Sequence, residues 1–159
     1  MIVVKDIMTT DLITLTPDMD IATAGKILLE NRINGAPVLD EAGGLVGILC
    51  QSDLIAQQKK LPIPTVFTLL DSVIQLTSKK QIEKQVRKIT ALTVSAAMTP
   101  NPVTVNPDSM IETVAALMVE SNFHTLPVID NKRLVGIIGK EDILRYLLST
   151  HAEREKKQS

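Results

Sequence analysis

The chain has 159 residues, of which 45% are hydrophobic and 22% charged, with a formal net charge of −1 at neutral pH. This balance gives a chain that can bury a core, which argues against global disorder. The low charge excludes a general electrostatic attraction to nucleic acids, and an aromatic content of 2% argues against single-stranded nucleic-acid binding by base stacking.

Location and metal content are predicted from what the sequence lacks. There is no signal-peptide core and no apolar run of the roughly 20 residues that span a bilayer, so we expect a cytoplasmic protein without a membrane partner. Cys50 is the single cysteine, which excludes an internal disulfide. With His124 and His151 as the only histidines, we expect no metal site.

The sequence contains an internal repeat. Residues 4–10 return as residues 94–100, and after one deletion residues 45–48 match residues 134–137. Two copies of one unit usually pack about a pseudo-twofold axis, because each leaves an apolar face that it cannot bury alone.

The first predicted strand of each repeat covers residues 12–15 or 103–105. Thr16-Pro17-Asp18 and Asn106-Pro107-Asp108 follow, and each triplet predicts the start of a helix. The helices that follow place one apolar face toward the core, formed by Ile21, Ala24, Ile27 and Leu28 in the first repeat and by Ile111, Val114, Leu117 and Met118 in the second.

The second half of each repeat predicts a hairpin and a helix. A strand opens at Pro37 or Pro127, and a third strand covers residues 45–49 or 134–138, whose continuous apolar runs predict burial on both faces. The last helix begins near Ser52 or Glu141. The predicted repeat is therefore β-α-β-β-α.

The predicted organisation is a first repeat at 1–56, an insert at 57–93, a second repeat at 94–150 and a frayed tail at 151–159. Pro62 and Pro64 break the helix that ends the first repeat. Residues 79–89 have a helical pattern, so the insert is expected to be partly helical. Its apolar residues 67–74 predict packing on the module or on a partner subunit.

The repeats resemble a tandem pair of CBS domains, known as the Bateman module. The resemblance rests on the Met-Thr opening, the Pro-Asp before the first helix, the Pro-Val-Leu-Asp and Pro-Val-Ile-Asp strands, and the Gly-Ile-x-x-x-x-Asp ending. It implies an α+β fold with small mixed sheets packed sheet to sheet. It also implies a homodimer, and binding of AMP, ADP, ATP or S-adenosylmethionine in clefts between the repeats.

The ending motif carries the implied site. In the family it reads Gly-hydrophobic-x-Thr/Ser-x-x-Asp, in which the hydroxyl and the Asp form a capping box. The helix start suits a phosphate, and the Asp suits ribose hydroxyls. Here Cys50 and Gly139 replace the hydroxyl residue, while Asp53 and Asp142 are kept.

The resemblance implies two sets of ligand-binding residues. Lys140 is a cation where the first repeat has neutral Gln51, so the second set is expected to dominate phosphate binding. Alternatively, the two Asp residues are only first-turn helix acids, His124 is structural, and Cys50 is a small buried side chain. The sets are Ile13, Asn34, Gly35, Cys50, Gln51, Ser52 and Asp53, and Val103, His124, Thr125, Gly139, Lys140, Glu141 and Asp142.

The predicted function is a stand-alone regulatory module that binds an adenosine derivative and signals to an unidentified partner protein. No nucleophile–base pair is apparent, so we expect no enzymatic activity and no obligatory cofactor. Repeated apolar helix faces and the apolar insert predict a homodimer. The alternative is a ligand-independent structural or protein-interaction module that dimerises.

Overall fold

The computed structural model describes residues 2–60 and 92–159, with side chains described for 2–57 and 92–159. The helix predicted at 79–89, the break at Pro62 and Pro64 and the apolar stretch 67–74 lie outside the described residues. The predicted insert is therefore described only at its two ends.

Within the described residues, helices and short strands alternate. The helices are α1 (Val4–Ile7), α2 (Ile21–Glu30), α3 (Gln51–Lys60), α4 (Val94–Ala97), α5 (Ile111–Glu120) and α6 (Lys140–Gln158), and the strands are β1 (Gly35–Leu39), β2 (Leu45–Cys50), β3 (Thr99–Pro100), β4 (Thr125–Asp130) and β5 (Arg133–Gly139). The strand order is β1-β2-β3 in one sheet and β4-β5 in the other. The predicted α+β class is confirmed.

Two compact units are formed, and they do not follow chain order. Unit 1 comprises Met1–Thr14, Leu39–Val46 and Asn101–Ser159, and unit 2 comprises Leu15–Val38 and the described part of Gly47–Pro100. Helix α1, from the start of the first repeat, thus belongs with the second repeat, whereas α4 belongs with the first. The predicted boundaries at 56 and 94 therefore separate the sequence repeats but not the compact units. Each unit contains the opening segment of the other repeat, with α1 in unit 1 and α4 in unit 2.

The core of unit 1 is aliphatic. Helix α5 buries positions three and four apart, which form one helical face. The backbone anchors α1 beside α5, since Val4 N–H donates to the Ser109 carbonyl at 3.0 Å and Lys5 N–H donates to the Pro107 carbonyl at 2.9 Å. The buried core residues are Val4, Ile111, Val114, Met118, Leu126, Val128, Ile138 and Ile143.

Unit 2 repeats this arrangement. Val94 N–H donates to the Met19 carbonyl at 2.8 Å, and Ser95 N–H donates to the Pro17 carbonyl at 3.0 Å. The same backbone pattern therefore anchors α4 beside α2. The buried hydrophobic residues of this unit are Leu15, Ile21, Ala24, Leu28, Ala36, Val38, Ile48, Leu49, Val94 and Ala97.

A glycine in β2 and a glycine in β5 each leave space for the methionine of a Met-Thr segment. A Cβ at Gly136 would collide with Met8 Sδ and would lie 3.1 Å from the Thr9 carbonyl oxygen. A Cβ at Gly47 would meet Met98 and Thr99 in the same way. The repeated glycines thus leave room for the openings of the repeats.

The predicted helix starts are wrong by several residues. Helix α2 begins at Ile21, after Asp20, whose carboxylate accepts from Thr23 N–H at 2.8 Å. Helix α5 begins at Ile111. The carbonyl of Pro17 accepts from Ser95 N–H, and the carbonyl of Pro107 accepts from Lys5 N–H. These contacts with residues distant in sequence replace the first helical turn that was predicted at each proline.

The predicted strands at 12–15 and 103–105 are also wrong in extent. Each forms one parallel bridge, from Leu15 to Val38 and from Val105 to Val128. The remaining residues have no strand assignment. The parallel bridges complete the mixed character of the small sheets.

Two other local predictions differ from the structure. In β5 the buried residues are Gly136 and Ile138, an alternating pattern, so the prediction of burial on both faces is wrong there. Helix α6 continues to Gln158 through the tail predicted to be frayed, and every residue from His151 onward is exposed. Backbone hydrogen bonds within the helix and a pair between His151 Nδ1 and Glu155 Oε1 at 3.5 Å accompany this helical end.

Candidate functional site

The second-repeat site lies where β5 passes directly into α6. Gly139 pairs with Thr125 at the end of β5 and is also the residue that precedes α6. Its N–H donates to Asp142 Oδ2 at 2.8 Å, and Lys140 N–H donates to the His124 carbonyl at 3.0 Å. The carboxylate half of the predicted capping box is present, whereas Gly139 has no side chain to supply the other half.

Asp142 is mostly buried beside an exposed cation. Its side chain is 13% exposed, and its Oδ1 lies 3.8 Å from Nη1 of Arg145, whose side chain is 75% exposed. Lys140, Glu141 and His124 are exposed as well. Around the start of α6, unit 1 therefore carries two carboxylates, of Glu141 and Asp142, and three basic side chains, of His124, Lys140 and Arg145.

The first-repeat site has the same backbone frame at the start of α3. Cys50 N–H donates to Asp53 Oδ2 at 2.8 Å, and Gln51 N–H donates to the Asn34 carbonyl at 2.8 Å. The side-chain Nε2 of Gln51 donates to the Ile33 carbonyl at 3.1 Å. The first residue of α3 is therefore held by its own unit, both through its backbone and through its amide.

Burial and hydrogen bonding change the acidity of the groups at this site. Burial raises the pKa of Asp53, and hydrogen bonds from Cys50 N–H and the Thr99 hydroxyl, 3.5 Å from Oδ1, oppose that rise. Burial, with a smaller contribution from Asp53, raises the pKa of the Cys50 thiol to about 11. The thiol is therefore protonated at neutral pH, as a small buried side chain would be.

Gly35 explains how Cys50 fits. A Cβ at Gly35 would lie 2.8 Å from Cys50 Sγ and 3.3 Å from the Leu49 carbonyl oxygen. The sulfur thus fills the space that a side chain at residue 35 would need.

The predicted residues of each set belong largely to one unit. The second set, from Val103 to Asp142, lies entirely in unit 1. The first set lies in unit 2, except for Ile13, which belongs to unit 1. Sequence reasoning missed Arg145 and Thr99. The spacing of Arg145, three residues after Asp142, was a usable signal, whereas the contact from Thr99 spans 46 residues and had none.

An open pocket of about 500 Å³ lies elsewhere in unit 1, at the turns of the two hairpins. It includes none of the predicted ligand residues. Its lining consists of Leu12, Leu39, Ala42, Gly43, Gly44, Asn131, Lys132, Arg133 and Leu134.

The described residues contain neither a candidate metal site nor a candidate membrane-spanning helix. Residues 2–60 and 92–159 contain no group of three or more His, Cys, Asp or Glu side chains placed to hold a metal ion. The same residues contain no helix both long and apolar enough to span a membrane.

Comparison with known proteins gave a family and several relatives. The CBS-domain family model matches residues 4–60 and 94–149. Protein MJ1426 of Methanocaldococcus jannaschii is 29% identical over 91% of this chain and 90% of its own length. CBSX2, a chloroplastic CBS domain-containing protein of Arabidopsis thaliana, is 30% identical over 96% of this chain, and the match spans 66% of CBSX2.

Solved structures agree with the family. A crystal structure of CBSX2 in complex with AMP has a TM-score of 0.69 and 28% identity, and covers 94% of this chain and 98% of that one. The CBS domain pair of protein MJ0100, in complex with 5′-methylthioadenosine and S-adenosyl-L-methionine, has a TM-score of 0.68 and 29% identity, with the same coverage. This chain therefore belongs to the CBS-domain family and carries a tandem pair of CBS domains.

Proposed function

We propose that this protein is a regulatory module that binds an adenosine derivative at the starts of α3 and α6. The observation that carries the proposal is the pair of equivalent carboxylates, Asp53 and Asp142, each fixed 2.8 Å from the N–H that precedes its helix. Similar CBS pairs bound to AMP, or to 5′-methylthioadenosine and S-adenosyl-L-methionine, support the ligand class.

The chemistry of these groups suits an adenosine derivative. A carboxylate accepts several hydrogen bonds, so Asp53 and Asp142 retain acceptor capacity for a ribose hydroxyl beyond the backbone contact. The helix N-termini favour negative charge, and Lys140 adds a cation beside the second one. The ligand is a bound regulator, not an obligatory cofactor.

The output of the module is a signal to a partner protein, without catalysis by this chain. In L-aspartate semialdehyde sulfurtransferase of Methanocaldococcus jannaschii the matching region is 22% of the protein, so there the match is part of a longer enzyme. Cytoplasmic location stays a prediction from the sequence.

The proposed assembly is a homodimer. Helix α6 exposes Leu144, Leu147 and Leu148 to 57%, 53% and 64%. Positions three and four apart lie on one helical face, so the three side chains form an apolar stripe that a second copy would cover. Light scattering at tens of micromolar is expected to give a dimer, and a shift toward monomer in Leu147→Lys. A monomeric wild-type protein would contradict the proposal.

A second candidate is a ligand-independent interaction module. It is favoured by the loss of the cap hydroxyl at both Cys50 and Gly139, and by the engagement of the Gln51 amide with a backbone carbonyl. In that case Asp53 and Asp142 serve only as helix caps.

A thermal-shift experiment distinguishes the two candidates. Wild type is heated with AMP, ADP, ATP, S-adenosylmethionine and NAD, since a ligand that binds the native state stabilises it by about 2.7 kcal/mol at a hundredfold excess over Kd. At least one adenosine ligand is expected to raise the melting temperature, by less in Asp142→Asn and by the full amount in the control Glu153→Gln. If no ligand raises the melting temperature at millimolar concentration, the adenosine-binding proposal is wrong and the ligand-independent interaction module is favoured.

A further inference from the structure

Asp53 and Asp142 accept equivalent backbone hydrogen bonds, but their side-chain partners differ. Asp142 Oδ1 lies 3.8 Å from the guanidinium of Arg145, a cation on the same helix. Asp53 Oδ1 lies 3.5 Å from the hydroxyl of Thr99, which is neutral. The residue equivalent to Arg145 in α3 is Ala56, so the first site lacks that cation.

The local charge differs accordingly. Residues 50–56 contain one charged side chain, Asp53, whereas residues 139–145 contain two acidic and two basic side chains. The first residue of α3 is the neutral Gln51, whereas the equivalent first residue of α6 is Lys140. Within these two segments, the carboxylate of Asp53 has no neighbouring cation, whereas Asp142 is accompanied by Lys140 and Arg145.

The guanidinium of Arg145 stays accessible from solvent beside Asp142. Its side chain is 75% exposed and the pair distance is 3.8 Å, so the pair contributes little to stability and the guanidinium is accessible to a second anion. A guanidinium presents several N–H donors in one plane, so it can face a carboxylate and a phosphate at once.

We propose that the two sites sort adenosine ligands by charge, with Arg145 as a specificity-determining residue in addition to Lys140. The second-repeat site takes anionic nucleotides such as AMP. The first-repeat site takes adenosine derivatives that are neutral or positively charged at the 5′ position, such as 5′-methylthioadenosine or S-adenosylmethionine. This inference rests on the proposed function, because it assigns ligand classes to the same two sites.

Calorimetry at low salt, where screening is weakest, tests the sorting with AMP and 5′-methylthioadenosine as probes. Arg145→Gln is expected to weaken AMP binding on the order of fivefold, the scale of one exposed charge pair, and to change 5′-methylthioadenosine binding less than twofold. Ala56→Arg installs the cation at the first site and is expected to strengthen AMP binding there. The control Arg154→Gln, on the same helix, is expected to change neither ligand.

The outcomes separate the two levels of the proposal. Equal weakening of both ligands in Arg145→Gln would show that Arg145 only positions Asp142, and unchanged AMP binding would show that it has no role. Either result overturns the charge sorting and leaves adenosine binding intact. Wild type that binds neither probe overturns the charge sorting, whereas the proposed function is overturned only if none of the adenosine ligands in the thermal-shift experiment binds.

Discussion

The carboxylate of Asp142 accepts a hydrogen bond of 2.8 Å from the backbone N–H of Gly139, the residue that precedes α6. The side chain of Asp142 is 13% exposed, so this bond is largely shielded from water. The proposed ligand residue is thus also a structural cap. Any substitution of Asp142 must be interpreted for both roles.

Asp142→Ala is expected to lower the free energy of unfolding by about 1 kcal/mol, because a cap bond to a charged acceptor is lost. For a chain of this size the melting temperature falls by about 2–4 °C. Asp142→Asn keeps an acceptor oxygen and is expected to lose less. Urea unfolding without ligand measures both variants, and an Ala variant as stable as wild type would contradict the capping role.

Gly139→Ser is expected to stabilise the protein by a few tenths of a kcal/mol, because it restores a cap hydroxyl. The backbone at Gly139 is extended, with φ −114°, and the nearest atom to an added Cβ is 3.6 Å away. Gly136→Ala is the matched control. There the added Cβ meets Met8 and the Thr9 carbonyl oxygen, and overpacking costs about 1–3 kcal/mol. Equal effects in chemical denaturation would contradict this account.

Asp53→Asn is expected to change how stability depends on pH. Burial raises the pKa of Asp53 in the folded protein above its unfolded value, so the folded state binds a proton more readily. Asp53 therefore lowers stability above its folded pKa, and this penalty disappears as the pH falls toward the unfolded pKa. The variant keeps an acceptor for Cys50 N–H without the charge.

The measurement is urea unfolding of wild type and Asp53→Asn across acidic and neutral pH. The variant is expected to gain on wild type as the pH rises through the folded pKa of Asp53, and then to keep a constant difference. A difference that does not change with pH would contradict the raised pKa.

The sequence predicted the α+β class and the hairpins because those features depend on local patterns. The periodic apolar face of α5 and the turns after Asp40 and Asp130 are encoded by neighbouring residues. The predicted strand and helix starts around Pro17 and Pro107 failed, because carbonyls there bond to segments distant in sequence.

The candidate site was predictable in the same partial way. The contacts of Asp53 and Asp142 with the residues three positions earlier follow from the capping motif, so sequence reasoning anticipated them. The contact from Thr99 to Asp53 arises only when the opening segments are exchanged, and no local pattern encodes that exchange.

The most direct test of the account is the binding of AMP, measured by calorimetry, to wild type, Lys140→Ala and Gln51→Ala. Lys140 is an exposed cation at the start of α6, whereas the amide of Gln51 already donates to the Ile33 carbonyl. A charge-assisted hydrogen bond to phosphate is about twice as strong as a neutral one. Lys140→Ala is therefore expected to weaken AMP binding far more than Gln51→Ala. Equal losses in the two variants would contradict the account.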